Sequence, residues 1–141
     1  MEIIMKEFHL QIVTPDGSVF DGAAESLLVK CESGDVEIMA AHADLFASLA
    51  VGRARVRANG QDRYASCAGG FLTVVKGEVR LIATTFEFSD EIDVNRAKKA
   101  AEDAEAAIKN AVDDVELERA KLKLSRALSR INVRALAKAA L

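Results

Sequence analysis

The sequence predicts an α+β protein in which an N-terminal antiparallel β-sandwich or barrel is followed by an antiparallel two-helix hairpin. All eight glycines and the only proline of the 141 residues lie at or before Gly77. Glycine and proline punctuate turns, whereas their absence permits long helices. The apolar period also changes at Ser89, from about two residues to about three and a half. We therefore expect a sandwich domain at 1–88 and a helical tail at 89–141.

The composition fits one soluble domain, since 50% of the residues are hydrophobic and the net charge is −3. This acidic balance argues against a general nucleic-acid binder. The N-terminus carries Glu2 and Glu7 where a secretory leader would be basic and then apolar, and no run approaches the ~20 apolar residues of a membrane span. We expect a cytosolic chain with Cys31 and Cys67 as reduced structural cysteines, because neither belongs to a CxxC pair or to a metal-ligand pattern.

The strands begin with Phe8–Thr14, which alternates apolar and polar residues and stops at the turn sequence Pro15-Asp16-Gly17. Asn59-Gly60 and Lys76-Gly77 predict two tight hairpins, because these pairs tolerate the positive φ of type I′ turns. Further β-like runs lie at 18–20, 26–31, 36–39, 54–57, 63–66, 71–75 and 79–83. Many short antiparallel strands at close spacing are typical of a sandwich or barrel.

The first helix of the tail presents a stripe that is almost entirely alanine. Its members are Ala97, Ala100, Ala104, Ala107, Ile108 and Ala111. Residues 110–114 interrupt the helix, and Asp113 followed by Glu116 predicts a capping box that starts a second helix. Two helices joined by so short a loop must pack antiparallel.

The second helix carries a leucine-rich apolar stripe that we expect to pack as a ridge into the alanine groove of the first helix. The stripe consists of Leu117, Leu124, Leu128, Ile131 and Ala135. Burial of one alanine methyl contributes only about 0.8 kcal/mol, so the hairpin should be loosely held. Both a static hairpin and a hairpin that changes its packing fit this pattern.

The charges of the tail are segregated. Residues 89–118 contain ten acidic and four basic side chains, whereas residues 119–141 contain seven basic and no acidic ones. The basic residues recur every three or four positions and form one basic stripe: Arg119, Lys123, Arg126, Arg130, Arg134 and Lys138. The stripe is either a solvated helix face or a contact for an acidic partner, for which the first helix, another protein, a nucleotide phosphate and an anionic lipid are candidates.

Four sequence segments in order resemble the epsilon subunit of bacterial and chloroplast F-type ATP synthases. They are Val13-Thr14-Pro15-Asp16-Gly17, Gly34 to His42, Ala68-Gly69-Gly70-Phe71-Leu72-Thr73-Val74, and Ile92-Asp93-Val94-Asn95-Arg96-Ala97 before a helical hairpin. The resemblance extends from about Phe8 to Val133. It implies a non-catalytic subunit of a proton- or sodium-translocating complex, peripheral on the cytoplasmic face of the cell membrane, and a bacterial rather than a chloroplast origin.

The resemblance also implies partners for each part of the chain. The sandwich would dock on the gamma subunit and the membrane-embedded c ring through the segment Gly34 to His42, with Ser33, Gly34, Asp35, Ala41 and His42 at the interface. The family commonly has glycine, proline and glycine where this chain has Glu37, Ala40 and Ala41. We therefore expect the docking mode to be kept and its detailed contacts to differ.

The tail of some relatives binds ATP, and the resemblance places the corresponding residues on this chain. These residues are Glu87, Ile92, Asp93, Arg96, Ala97, Arg119, Arg126 and Arg130. Guanidinium groups one helical turn apart can hold phosphate oxygens in pairs, although the carboxylate of Asp103 would oppose a phosphate. The other interpretation is that Asp93 caps the helix and Arg96 pairs with Asp90 or Glu91. ATP would be a regulatory ligand, and no cofactor is required.

By the same resemblance, the tail would exchange between a folded hairpin and an extended form that inhibits ATP hydrolysis at the catalytic beta subunits. Lys123, Arg126, Arg130 and Arg134 would then contact an acidic segment of those subunits. An independent enzyme is not indicated, since the sequence offers no nucleophile–base arrangement, phosphate-binding glycine loop or metal-ligand cluster. The alternative is a non-enzymatic adaptor that presents the basic helix to nucleic acid or to an anionic membrane.

Overall fold

The computed structural model describes residues 6–139, so Glu2 of the leader prediction lies outside the described residues. Within this range the chain forms seven strands, one 3-10 turn and two helices. They are β1 (Phe8–Thr14), β2 (Gly17–Ala24), β3 (Ser26–Cys31), β4 (Gly34–Ile38), β5 (Leu45–Ala58), β6 (Gln61–Val75), β7 (Glu78–Phe88), the 3-10 turn (Ser89–Glu91), α1 (Val94–Asn110) and α2 (Asp114–Ala139). None of the helices in this range is both long and apolar enough to cross a membrane.

The seven strands form one sheet in the order β2-β1-β7-β6-β5-β3-β4. Residues from both ends of this order share a single hydrophobic core, for example Ala24 on β2 and Ile38 on β4. The sheet must therefore curve back over itself and enclose the core between two layers, which we call the sandwich. The predicted α+β architecture is confirmed. One detail differs from the antiparallel prediction, because β1 and β7 pair in parallel.

Two of the strands are much longer than the runs that the sequence predicted. β5 has 14 residues and β6 has 15. Their pairing pauses between Ser48–Phe71 and Gly52–Cys67, and Gly69 and Gly70 take positive φ in this stretch of β6. A Cβ on Gly70 would lie 1.8 Å from the Ile82 carbonyl oxygen on β7. Gly70 is therefore required by the close approach of two backbones, whereas a Cβ on Gly69 would meet the Thr84 side chain at 2.8 Å.

The tight hairpins are as predicted. Asn59 and Gly60 have φ of 53° and 72°, and Lys76 and Gly77 have φ of 51° and 81°. Positive φ at both central positions is the requirement of the type I′ turn, whose twist matches the flanking strands. These two turns fix the register of β5 with β6 and of β6 with β7.

The cysteines are free and buried in the sandwich, as predicted. Burial raises the pKa of the Cys67 thiol to about 12, with Cys31 as the second cause. Burial also raises the pKa of the Cys31 thiol, and Asp35 adds to the effect. Because the thiolate is the reactive form, both side chains act as small apolar core residues.

The tail is an antiparallel hairpin, and both helix starts are capped as predicted. The Asp93 carboxylate accepts a hydrogen bond from the Arg96 backbone N–H at 3.1 Å. The Asp113 carboxylate accepts from the Glu116 N–H at 2.8 Å, while the Glu116 carboxylate accepts from the Val112 N–H at 3.2 Å. This reciprocal pair is a close variant of the capping box.

The packing stripes of the hairpin differ from the prediction. The buried residues of α1 are Ala97, Ala101 and Ala104, whereas Ala100 and Ala107 are exposed. On α2, small side chains are buried at Ala120 and Ala127, while Leu117 and Leu124 are only half-buried. The leucine ridge was therefore a wrong prediction. The helices approach closely through alanines on both sides, which leaves little space for larger side chains between them.

Candidate docking face and tail interface

The second helix holds the tail against the sandwich, where it packs on β6, β5 and the 3-10 turn. A buried hydrogen bond of 2.8 Å joins the hydroxyls of Ser129 on α2 and Ser66 on β6. Both serines are nearly inaccessible, so each hydroxyl satisfies the other in a place that water does not reach. This serine pair marks the centre of the tail interface.

Two arginines of the basic stripe extend the tail interface toward the end of β7. Arg130 Nε lies 3.3 Å from Glu87 Oε1, and the two side chains are 30% and 37% exposed. Arg134 Nη1 donates to the Ser89 carbonyl oxygen at 2.9 Å. The ion pair is partly solvated, and such pairs contribute about 0.2–1 kcal/mol. In this conformation Glu87 of the sandwich and the carbonyl of Ser89, in the 3-10 turn that joins the sandwich to the tail, supply the groups that these arginines contact.

The structure brings some of the predicted ATP-binding residues together. Glu87 and Arg130 form the pair just described, and Arg126 lies one helical turn before Arg130 on the same helix. Arg126 Nε is buried and has no hydrogen-bond partner among the described residues. A buried guanidinium donor without a partner is costly, and an acceptor from outside could reach this atom only if the groups that cover it move.

The remaining predicted ATP-binding residues lie around the start of α1 and on α2. Ile92 and Ala97 are buried, whereas the Asp93 carboxylate is used as the helix cap. Arg96 and Arg119 are exposed, and neither forms an ion pair within 4.0 Å in the described range. The predicted capping by Asp93 is therefore confirmed, and the pairing of Arg96 with Asp90 or Glu91 was wrong. Asp90 instead lies 3.8 Å from Arg63.

The other members of the basic stripe remain at the surface. Lys123 and Lys138 are exposed, and Arg126 is half-buried. Asp103, which would oppose a phosphate, is exposed on α1. The basic stripe is thus divided between solvent and the tail interface.

The segment Gly34 to His42 is an edge strand followed by a bend, not one loop. Ser33, Gly34 and Asp35 lie exposed at the turn between β3 and β4, whereas Ala41 and His42 follow the far end of β4. A five-residue strand spans about 17 Å. The five predicted interface residues therefore form two groups that a partner could contact together only along the length of β4.

Glu37 fastens this edge strand to its neighbours. Its carboxylate accepts from the Ser26 hydroxyl and from Arg55 Nη2, each at 2.9 Å. The hydrogen bond from Ser26 and then the one from Arg55 lower the pKa of Glu37 below its usual range. The Glu37 side chain thus links β4 to β3 and β5.

Apolar side chains form an exposed surface on the outer side of β5, β6 and β7. Phe46 and Phe71 stack with ring centroids 5.3 Å apart, and Ile82 lies directly opposite Phe71. These three side chains are 67%, 46% and 42% exposed. Val75, on the same side of β6 as Phe71, is 55% exposed. We name Phe46, Phe71, Val75 and Ile82 the apolar face. Contiguous exposed apolar groups of this kind mark interaction surfaces.

The apolar face was not predicted from the sequence. Phe71 and Ile82 were assigned to strands, but their outward direction was not considered. The signal was available, because Phe71, Thr73 and Val75 alternate with the buried Leu72 and Val74. Because Phe71 and Val75 lie on the same side of β6 as Thr73, neither side of this strand is fully polar.

Comparison with known proteins matches both parts of the chain. Residues 7–89 match the model of the ATP synthase delta/epsilon chain β-sandwich domain, and residues 90–135 match that of its long α-helix domain. The chain is 39% identical over 129 residues to an ATP synthase epsilon chain from Bacillus pumilus, covering 92% of this chain and 98% of that one. It is 34% identical over 128 residues to the corresponding chain of Ruminiclostridium cellulolyticum, covering 91% and 96%.

Solved structures share the fold at lower sequence identity. A chain in the Euglena gracilis mitochondrial ATP synthase OSCP/F1/c-ring assembly has a TM-score of 0.74 at 20% identity, covering 99% of this chain and 84% of that one. A chain in the central stalk and c ring of the Tetrahymena thermophila enzyme has a TM-score of 0.56 at 14% identity, covering 94% and 96%.

Proposed function

The chain belongs to the ATP synthase delta/epsilon chain family, and from that premise we propose that it couples rotation between gamma and the c ring and regulates ATP hydrolysis with its tail. It is a non-catalytic subunit. Residues 1–88 form the unit that docks on the central stalk, and residues 89–141 form the regulatory tail. The subunit is peripheral, on the cytoplasmic face of the cell membrane.

The observation that carries the regulatory proposal is how little holds the tail on the sandwich. The hairpin interior is built mainly from alanines. Beside the buried Ala127 and Val133 of α2, the tail is held by the Ser66–Ser129 hydrogen bond, the Glu87–Arg130 pair and the contact of Arg134 with a carbonyl. A net hydrogen bond contributes about 0.5–1.5 kcal/mol. A few such terms support an interface that opens without unfolding either helix.

Opening of the tail interface changes what the basic stripe can bind. In the folded form Arg130 pairs with Glu87 of the sandwich and Arg134 donates to the Ser89 carbonyl of the 3-10 turn. Lys123 is exposed and Arg126 is half-buried, and neither forms an ion pair with the described part of the sandwich. In the extended form all four become available to an acidic segment of the catalytic beta subunits. Binding there would hold the rotor in place and inhibit hydrolysis. The exchange of one set of acceptors for another makes the two forms close in free energy.

ATP is the proposed ligand of the folded form. Support comes from Arg126 Nε, which is buried without an acceptor one turn from Arg130. Phosphate oxygens would supply that acceptor, with Glu87, Ile92, Asp93, Arg96, Ala97 and Arg119 as the other proposed contacts. A ligand that binds only the folded form stabilises it by about 2.7 kcal/mol at a hundred times its Kd. ATP would therefore relieve inhibition when it is abundant.

The docking proposal combines two surfaces of the sandwich. The apolar face provides the desolvated contact that a permanent partner requires, and Ser33, Gly34, Asp35, Ala41 and His42 provide polar contacts along β4. The adaptor alternative, in which α2 binds nucleic acid or an anionic membrane, gains no support from the structure's contacts, because Arg130 is paired with Glu87 and Arg134 with the Ser89 carbonyl.

The test is ATP hydrolysis by the soluble catalytic complex of the same organism, reconstituted with the full chain or with a chain that ends at Asp90. This end point keeps Phe88, which is buried in the core. We expect the full chain to suppress turnover, the truncated chain to leave it high, and ATP to weaken the suppression.

Each result bears on a different part of the proposal. Equal rates with both chains bound would contradict the regulatory role and leave the docking role intact. Failure of both chains to bind would contradict docking. For the ligand, Arg126→Gln should weaken ATP binding to the full chain by calorimetry, while Lys123→Gln, an exposed charge on the same helix, should change it little.

A further inference from the structure

His9 lies between two carboxylates that belong to different strands. Its strand, β1, runs between β2 and β7 in the sheet. His9 Nε2 is 2.5 Å from Asp21 Oδ1 on β2, and His9 Nδ1 is 2.6 Å from Glu78 Oε2 on β7. One imidazole ring therefore bridges three adjacent strands on the outer side of the sheet.

Only one protonation state of the His9 ring can form both contacts as hydrogen bonds. An ionised carboxylate only accepts hydrogen bonds, and a neutral imidazole has one donor nitrogen and one acceptor nitrogen. Two carboxylates at opposite ring nitrogens are both satisfied only by the imidazolium, in which each nitrogen donates. A neutral ring would keep one contact and place a lone pair against the other carboxylate.

The charged groups on the neighbouring strands are Asp21 on β2 and Glu78 and Arg80 on β7, and Lys6 and Glu7 precede His9 in its own chain segment. The rest of the groove around the ring is uncharged and is lined by Gln11, Thr73, Val75 and Val79. The hydrogen bond to Asp21, followed by the one to Glu78, raises the pKa of His9 above its ordinary value. The two carboxylates of Asp21 and Glu78 outnumber the one nearby cation, Arg80 on β7, which agrees with a raised pKa of His9.

The position of this cluster gives its protonation a structural consequence. β2 is the edge strand at one end of the sheet order, and its described ladder partner is β1. The β1–β7 pair is the parallel one, and its register places His9 beside the start of β7. Glu78, Arg80 and Ile82 alternate outward along β7, so the cluster lies on the same side of the sheet as the apolar face.

We propose that His9 is a pH-sensitive clamp, which as an imidazolium ties the edge strand β2 to β7 across β1 and which on losing its proton releases one of the two carboxylates. The release loosens β2, and the loss of the proton removes one positive charge from the side of the sheet that carries the apolar face. The clamp goes beyond the proposed docking and regulatory roles, and it does not depend on either.

The direction of the pH dependence follows from linkage. His9 holds its proton more tightly in the folded chain than in the unfolded chain. Its stabilisation of the fold is therefore fully present below the ordinary pKa of histidine, and it is lost as the pH rises through the raised pKa of the folded state. The window of change lies on the alkaline side of an ordinary histidine titration.

The titration of His9 can be followed directly in the full chain. The sequence has two histidines, and loss of one ring signal in His9→Gln identifies which signal belongs to His9. The ring protons of His9 are then followed by NMR while the pH is raised. We expect the His9 midpoint to lie above the ordinary pKa of histidine, and the amide protection factors of β2 to fall through that midpoint.

Variants separate the clamp from a general effect of charge. Asp21→Asn and Glu78→Gln should each move the His9 midpoint down, whereas Asp16→Asn, in the turn of the same hairpin, should leave it in place. His9→Gln should make β2 protection independent of pH in this window. A His9 midpoint at or below the ordinary pKa of histidine, or β2 protection that stays constant while His9 titrates, would overturn the proposal. Because the measurement uses the isolated chain, neither outcome depends on partner binding.

Discussion

Ala41 has a backbone conformation that alanine rarely adopts. Its φ is 62°, in the left-handed region where a Cβ meets the following carbonyl oxygen. The residue follows β4 and precedes His42. This turn is therefore made by a residue that does not adopt the left-handed conformation without strain. The cost of a left-handed conformation is about 1–2 kcal/mol for a residue with a Cβ.

Ala41→Gly should therefore stabilise the protein. Glycine removes the strain but adds backbone entropy to the unfolded chain, which costs about 0.5–1 kcal/mol, so the net gain is about 0.5–1 kcal/mol. Urea unfolding of the two proteins measures the difference. Ala43→Gly is the matched control, since Ala43 has no positive φ and glycine there should be neutral or destabilising. A loss of stability in Ala41→Gly would show that the left-handed turn is not strained.

Local chemistry decided which turns could be predicted from the sequence. Asn59-Gly60 and Lys76-Gly77 were predicted because glycine shows where positive φ is needed. The positive φ of Ala41 could not be predicted in this way, because it is imposed by the surrounding bend and not favoured by alanine. The hydrogen bonds of Glu37 to Ser26 and Arg55 also depend on which strand lies beside β4, so the sequence showed an unusual residue there but not its role.

The two helices illustrate how far periodicity specifies packing. Their existence, their caps and their antiparallel arrangement follow from spacing and capping residues and were predicted. The buried stripe of α1 was displaced from Ala100 to Ala101, because an alanine-rich helix offers several faces of similar hydrophobicity. The partner then selects the face. Ser129 shows the same limit, since its burial depends on Ser66, which is 63 positions away in the sequence.

The serine pair allows the tail to be locked on the sandwich. The hydroxyl oxygens are 2.8 Å apart, so sulfurs at these positions lie near the ~2.05 Å separation of a disulfide. In Ser66→Cys/Ser129→Cys, oxidation should hold the hairpin folded and abolish the inhibition of ATP hydrolysis in the reconstituted catalytic complex. Reduction should restore inhibition, because without the disulfide α2 can separate from the sheet.

Two controls accompany the locked protein. Oxidant should not change the inhibition by the unmodified chain, whose Cys31 and Cys67 are free and buried with raised thiol pKa values. Each single cysteine variant should also behave alike under both redox conditions. If the oxidised double variant inhibits as strongly as the reduced one, inhibition does not require the tail to leave the sandwich.

The arrangement of the sheet shows which aspects of the fold are beyond local reasoning. A turn-rich β domain could be predicted from the clustering of glycine and proline. The parallel pairing of β1 with β7 could not, because it joins residues such as Leu10 and Val79 that are far apart in the sequence. The merging of short β-like runs into β5 and β6 likewise depends on both layers sharing these strands. Long-range pairing is specified by the closed core and not by any one segment.

The sandwich has a hydrophobic interior and, on one outer side, a second apolar surface that the fold does not use. Phe46, Phe71 and Ile82 stack or pair across three strands while remaining between 42% and 67% exposed. Removing them should leave the interior intact. A double variant, Phe46→Ser/Phe71→Ser, should therefore keep its unfolding free energy within about 1 kcal/mol, as surface changes usually do, and lose binding to gamma by at least tenfold.

Binding of the purified chain to gamma, by calorimetry or co-elution, measures the loss, and urea unfolding measures stability on the same samples. Val112→Ser/Val115→Ser is the matched control. These valines at the hairpin tip are 84% and 60% exposed, so the same amount of apolar surface is lost away from the apolar face. If both double variants bind gamma equally well, the apolar face is not the docking surface. If the phenylalanine variant alone loses binding, exposed aromatic groups in this protein serve association, and the fold tolerates them because their neighbours along each strand are already buried.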